Sequence, residues 1–477
     1  MSTLPSNPCD ASLVEIAAAL KSGAVSSVEV TEASLARLAT AGQALTAVVG
    51  CNPDDALRQA AAADASPKSA ALAGVPLAHK DMFYRPGRLS ECGSKVRQGF
   101  MPDILSGALK KLDQAGALDI ARLNMAEFAF GVTGHNEATG DACNPWNPAH
   151  MTGGSSSGSA AMVAARATFG ALGSDTGGSV RLPAACCGIV GMKVTMGRVS
   201  RFGAMPLSYT LDTIGPLTRT VSDNALMLSQ MAGHDPDDPS SVDVAVDDYL
   251  GALEGGVKGL KIGLPKSHFM DGMTAELEAM FAAAVAVLKK SGAIFVDVDL
   301  PDAIRYTNAL TSLITATEGA ALHQHWMETR GDLYGAQTFG RLAGGLATPA
   351  SRYIQALELR TEVLAAFNEC VFRNVDVMMT PMMIMDVPTR EESDVRAGPN
   401  AAEMLSRIGH CSRPINFLGL PGLSVPSGFT KAGLPSSLQF VGRPFDEATL
   451  YRVGRAYERE TEWYKTAPDE SAWSLPK

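Results

Sequence analysis

The stretch GSDTGGSVRLPAACCG, residues 173–188, places one hydroxyl, Ser179, directly after two glycines in a run of small residues. A serine at such a corner has the setting of a nucleophile, and a nucleophilic serine needs a base to take its proton. No histidine lies between His150 and His234. Two other segments supply polar groups among small or apolar residues: Lys80, near the end of GVPLAHKD (74–81), and the run TGGSSSGS (152–159). A lysine whose ordinary pKa is about 10.4 becomes a usable base when burial brings it toward about 7–8. A serine between lysine and nucleophile can pass the proton along. Consecutive glycines before Ser179 let several backbone N–H groups converge on one oxygen, the geometry of an oxyanion hole. Singly, each feature has a plain structural explanation: a lysine reaching water, a flexible Gly/Ser loop, a glycine turn. Together they describe a serine activated without histidine.

The elements that must position these residues alternate between helix and strand. Helical periodicity or glycine stops mark SLVEIAAALKSG, SVEVTEASLARLATAG, DDALRQAAAADA, DILSGALKKLDQAG, SSGSAAMVAARA, SDNALMLSQMAG, TAELEAMFAAAVAVLKKSG and SRYIQALELRTEVLAAFNECVF. LTAVVG, ALDIAR, TFGALGSD, GLKIGLP, AIFVDVDL and VDVMMTP read as strands, and GVPLAHKD as a short apolar run ending in its lysine. Alternation of this kind, with continuously apolar strands, predicts an α/β fold with its sheet covered by helices on both faces. The Pro-, Asp- and Ser-rich segment 232–243 is the best candidate break, and a surface loop within one domain spanning 1–477 is the preferred reading.

With 46% hydrophobic and 19% charged residues, the chain can bury a large core. Its net charge of −10 argues against a nucleic-acid surface, which carries a basic patch. The first residues lack the basic flank and apolar run of a secretory signal, and no uninterrupted apolar window reaches the length of a membrane span. Eight scattered cysteines lack metal-ligand spacing. Reduced thiols and a cytoplasmic location are expected.

The segment 153–191, GGSSSGSAAMVAARATFGALGSDTGGSVRLPAACCGIVG, resembles the glycine- and serine-rich signature of the amidase signature family. GVPLAHKD resembles that family's lysine motif and LNMAEFAFG (123–131) its acyl-pocket segment. The 24-residue step from 155 to 179 fits as well. The resemblance covers 10–235 closely and 370–460 loosely, with the catalytic motifs in 74–191 and a less typical, substrate-shaping segment near 240–375. It implies a Ser-cisSer-Lys triad: Ser179 as nucleophile, Ser155 as the bridging serine after a cis peptide, Lys80 as base. The N–H groups of Thr176, Gly177, Gly178 and Ser179 match the oxyanion hole. Ala129, Phe130 and Gly131, with Ser155, match the substrate-binding region, and Arg181 a supporting arginine. Val194 stands where proline is usual, Ser157 and Ser159 where glycines often occur, and ARLNM replaces GKTNM. None of these removes a triad atom; they bear on the substrate.

The activity implied is hydrolysis of a carboxamide C–N bond in a linear, non-peptide amide, without metal or organic cofactor. The preferred expectation is a stand-alone homodimeric enzyme with a small-molecule amide substrate and neither nucleic-acid nor membrane partner. The alternative is the glutaminase (A-type) component of a tRNA-dependent amidotransferase, in which Arg360 falls near the position that holds the glutamine carboxylate. Other motifs are weaker. Gly154, Ser156 and Gly158 form G-x-S-x-G with His410 as a conceivable histidine, but no strand precedes them as a nucleophile elbow requires. An S-x-x-K occurs only at Ser474–Lys477, and no phosphate loop is present.

Overall fold

The computed structural model describes residues 4–394, 396 and 401–473; the Ser474–Lys477 motif lies outside them. Eleven strands are present among the described residues: β1 (Val48–Cys51), β2 (Pro76–Lys80), β3 (Leu118–Leu123), β4 (Gly170–Asp175), β5 (Val190–Lys193), β6 (Thr213–Thr218), β7 (Lys261–Pro265), β8 (Ile294–Val298), β9 (Val377–Pro381), β10 (Gly422–Phe429) and β11 (Pro435–Val441). Eight form one sheet in the order β4-β6-β5-β10-β11-β9-β7-β8. Only β7 runs parallel to its neighbours β8 and β9; the other pairs are antiparallel. The fold is mixed α/β, a large mixed sheet flanked by helices. β1, β3 and β2 form a separate three-stranded sheet, so the lysine strand and the strand leading to Ser179 belong to different sheets. The two meet where Leu172 N–H donates to His79 Nδ1 at 3.1 Å. Burial lowers the His79 pKa to about 4, so the ring stays neutral and can accept that bond.

β2, β4, β5, β6 and β9 are buried at every residue, as expected where helices cover both faces. The N-terminal helices begin as their sequences dictate. Ser12 and Ser26 cap Leu13–Ser22 and Ser27–Ala44 in reciprocal capping boxes with Glu15 and Glu29. Two site helices are different. Ser157–Ala164 and Arg181–Cys187 have no exposed face at all, and their small side chains let neighbouring backbone come close. A Cβ on Gly158 would stand 2.5 Å from the Asn124 nitrogen, so that position admits no larger residue.

The segment 232–243 is fastened to the body: Arg201 N–H and Ser200 Oγ donate to Asp238 and Asp235 at 2.6 and 2.5 Å. Between β8 and β9 the chain builds three helices, Thr307–Arg330, Ala336–Leu346 and Ala350–Phe367. The first packs against the second and third and against the short helix Arg413–Leu418. This helical layer sets one wall of the site.

Candidate active site

Lys80 is the last residue of β2 and is 1% exposed. Its Nζ donates to Ser155 Oγ at 2.7 Å and to Ser174 Oγ at 2.8 Å. Burial brings the amine down to about 7, against the opposing pull of Asp212, Asp175 and Cys92. Near neutrality a large fraction is then uncharged, and the same short contact lets Ser155 Oγ–H donate to the free lone pair. Ser174 was not singled out from sequence. It lies on β4, five residues before Ser179, and alternation along β4 directs it to the amine while Asp175 turns the other way.

Ser155 follows the cis Gly154–Ser155 peptide, and its carbonyl accepts from Ala126 N–H at 3.1 Å. The next residue ties it to the nucleophile candidate: Ser156 N–H donates to the Ser179 carbonyl at 3.3 Å. The structure thus gathers Lys80, Ser155, Ser174 and Ser179 from two sheets and two helix-leading loops.

The loop that presents Ser179 is built on Asp175. Its carboxylate accepts from the backbone N–H groups of Gly178, Val180 and Arg181 at 2.8, 3.2 and 3.3 Å, and from the Arg181 guanidinium at 3.0 Å through both Nε and Nη2. Both side chains are fully buried. Burial alone would raise the Asp175 carboxyl; the Arg181 charge and hydrogen bonds, with Lys193 and Asn416, carry it below the ordinary range. Arg181 is held in turn by Asn416 and Gln439. One expectation is corrected here. Gly178 is not a free oxyanion donor, because its N–H already bonds Asp175; it supplies instead a φ of +121°. The N–H groups of Thr176, Gly177 and Ser179 have no acceptor among the described residues. Thr176 is oriented by its hydroxyl, which donates to Asp212 at 2.5 Å.

Across from this loop, Phe128 and Ala129 both take left-handed backbone, φ 47° and 64°, uncommon away from glycine. Phe128 N–H donates to the Cys92 carbonyl at 2.9 Å. Phe130 packs on the helix Thr307–Arg330 at Gly319, where a Cβ would stand 2.9 Å from Phe130 Cε2. Gly131 abuts Ala126. On the Ser174 side, a cleft of about 360 Å³ is lined by Met82, Ser174, Met205, Tyr209, Asp212 and Ile214 among others.

Arg360 donates to the Thr210 carbonyl at 2.7 Å and lies beside Gly419. Thr210 N–H and Oγ1 are on Glu318 at 3.1 and 2.8 Å. No described contact joins Arg360 to Ser179. The nucleophile-elbow reading finds no support, since His410 Nε2 meets the His268 carbonyl at 2.6 Å and Ser156 Oγ donates to the Ser174 carbonyl at 3.4 Å. All eight cysteines are free thiols. Among the described residues, no cluster of metal-ligating side chains occurs and no helix is long and apolar enough to cross a membrane.

Fold and site define a class: a serine–lysine site on a mixed α/β sheet. The Amidase family model matches residues 29–451, and the chain belongs to that family of hydrolases acting on C–N bonds. It is 40% identical over 484 residues to the A-type component of glutamyl-tRNA(Gln) amidotransferase from Myxococcus xanthus (strain DK1622), covering 96% of this chain and 98% of that protein. It is 39% identical to the protein of the same name from Trichlorobacter lovleyi, covering 93% and 96%. Among solved structures, the corresponding glutamyl-tRNA(Gln) amidotransferase component of Thermotoga maritima superposes with a TM-score of 0.79 at 29% identity, covering 94% of each chain. Another, described as an unexpected vestigial protein complex that reveals the evolutionary origins of an s-triazine catabolic enzyme, superposes at 0.88 with 30% identity, covering 94% of this chain and 99% of that one.

These relatives overturn the expected partners. Proteins so similar along their whole length are named as components of a glutamyl-tRNA(Gln) amidotransferase, against the expectation of a homodimer with a small-molecule substrate alone and no nucleic acid. The physical reason is simple. A net charge of −10 describes one chain's own surface and says nothing of an RNA held by other chains of an assembly.

Proposed function

We propose that the chain is the A-type component of an amidotransferase and releases ammonia from glutamine through a Ser179 acyl-enzyme, with Lys80 and Ser155 as the proton relay. The observation that carries the chemistry is the buried Lys80 Nζ–Ser155 Oγ contact of 2.7 Å, in a setting that brings the lysine to about 7. Identity of 38–40% over nearly the full length of A-type amidotransferase components supports the choice of glutamine, and of further protein chains and glutamyl-tRNA(Gln) as partners.

Neutral Lys80 accepts the Ser155 proton as Ser155 accepts that of Ser179. Ser179 Oγ bonds to the amide carbon, and the oxyanion settles against the N–H groups of Thr176, Gly177 and Ser179. The relay then protonates the amide nitrogen, the C–N bond breaks and ammonia leaves. Water attacks the ester by the same relay, the C–Oγ bond breaks, and glutamate is released with Ser179 restored. Arg181 and Asp175 hold the loop without touching substrate. No step requires a metal or organic cofactor.

The test is ammonia and glutamate release by the purified chain, alone and co-expressed with the other chains of an amidotransferase. Glutamine hydrolysis, strengthened by partners and joined to conversion of glutamyl-tRNA(Gln), is expected. Turnover of simple amides with none of glutamine, whatever the partners, would overturn the amidotransferase reading.

A further inference from the structure

Arg413 opens the helix Arg413–Leu418 and is 7% exposed. Its guanidinium has no hydrogen bond or ion pair with any described residue. Burial, then the charge of nearby Arg341, lowers its pKa to about 10, so it remains a cation at neutral pH. Two unfavourable conditions coincide here. The charge is desolvated without a counter-ion, and it faces a second cation. No described carboxylate compensates.

The surroundings look made for the guanidinium. Gly409 lies directly against it, and a Cβ there would stand 2.6 Å from Arg413 Nε and 2.8 Å from Cζ. The opposite neighbour is Gly177, two residues before the nucleophile: its Cβ position is 3.6 Å from Arg413 Cγ and 4.0 Å from Nε, and 4.0 Å from Thr311 Cγ2. Arg341, on the helix Ala336–Leu346, is also without a carboxylate partner among the described residues. Its Cζ lies 5.2 Å from the centre of the Phe130 ring. Two unpaired arginines therefore approach the reacting centre, one by the oxyanion loop and one by the acyl segment.

We propose that Arg413, with Arg341 beside it, binds a carboxylate at the far end of the acyl group, so that the site selects ω-amides of acids carrying a second anionic group. The inference rests on the acyl-enzyme reading above and names its substrate class. It also moves the carboxylate anchor away from Arg360, whose guanidinium is engaged by the Thr210 carbonyl. A planar guanidinium suits the task because it meets a carboxylate through two parallel N–H donors.

The experiment compares kcat/KM for glutaramate and glutamine with that for the neutral amide butyramide, in wild type and in Arg413→Met, Arg413→Lys and Arg360→Met. Calorimetric binding of glutarate is measured on the same proteins. Wild type is expected to prefer the anionic amides by about 100-fold, and Arg413→Met to lose most of that preference through KM. Arg413→Lys should restore part of it, and Arg360→Met should keep it. Glutarate should bind wild type and fail to bind Arg413→Met, a result that needs no turnover and so speaks even if every variant is inactive. Equal use of butyramide and glutaramate by wild type, or glutarate binding that depends on Arg360 and not Arg413, would overturn the proposal. Cleavage of glutaramate without glutamine would support it while removing the amidotransferase reading. Glutarate binding without cleavage of any amide would support the anion site while removing the acyl-enzyme.

Discussion

In the proposed relay Lys80 acts as a base only while uncharged, and its environment decides when that is. With the amine brought to about 7 by burial, kcat/KM should rise as pH increases through that value and level off above it. Lys80→Arg should be nearly inactive across the range, because a guanidinium does not deprotonate there. A lysine that merely anchors the loop by its charge would tolerate arginine; an active variant with an unchanged profile, measured as kcat/KM against pH, would remove Lys80 from the chemistry. Ser174 is a positioning residue, since it touches Nζ without joining the relay. Ser174→Ala should lower kcat by about tenfold, the worth of one buried hydrogen bond, and should shift the pH midpoint, which a purely structural loss would leave in place. Lys80, Ser179 and the run 152–159 stood out in the sequence because chemistry needs those residue types among small neighbours, and the family resemblance then picked Ser155 out of that run. Arg413 did not, because a lone arginine after CS looks like any surface cation until the fold buries it beside Gly177.

At the scale of elements, the strands that sequence periodicity marks are the apolar, β-branched ones, such as β7, β8 and β9. It passes over β5, β6, β10 and β11. Pro216 in β6 and Pro426 in β10 argue against central strands because proline cannot donate to the ladder. The register explains how they fit. β5 pairs with β6 only at Leu217 and Thr218, and with β10 only through Gly422–Ser424, so neither proline is paired with β5. The division into two sheets was equally hidden, since pairing is a long-range choice. Asp175 was legible as one acid ending a buried strand, yet its partners Asn416 and Gln439 lie far along the chain. Replacing Asp175 by Asn leaves Arg181 buried without its charge and should cost about 3–5 kcal/mol, read by urea unfolding. The sign with pH follows from its depressed pKa. The stabilisation is present above the ordinary value of 3.8 and is lost as pH falls toward the folded one. The gap in unfolding free energy between wild type and Asp175→Asn should therefore narrow on acidification from about pH 5 downward; a constant gap would assign the loss to packing.

For the whole molecule, the family was legible because its motifs fall in one contiguous quarter of the chain, whereas the partners were not. Charge and composition report one chain's surface, and an assembly's other surfaces belong to other chains. The helical layer from Thr307 to Phe367, within the less typical segment near 240–375, carries Gly319 against Phe130 and Arg341 over its ring. Every proposed step passes through a covalent intermediate on Ser179, and mass analysis of protein acid-quenched during glutamine turnover looks for it. The peptide containing Ser179 should carry one glutamyl ester in wild type, and Ser179→Ala should show neither the ester nor ammonia release. Ammonia release by Ser179→Ala at a rate near that of wild type, with no adduct on the wild-type peptide, would contradict it.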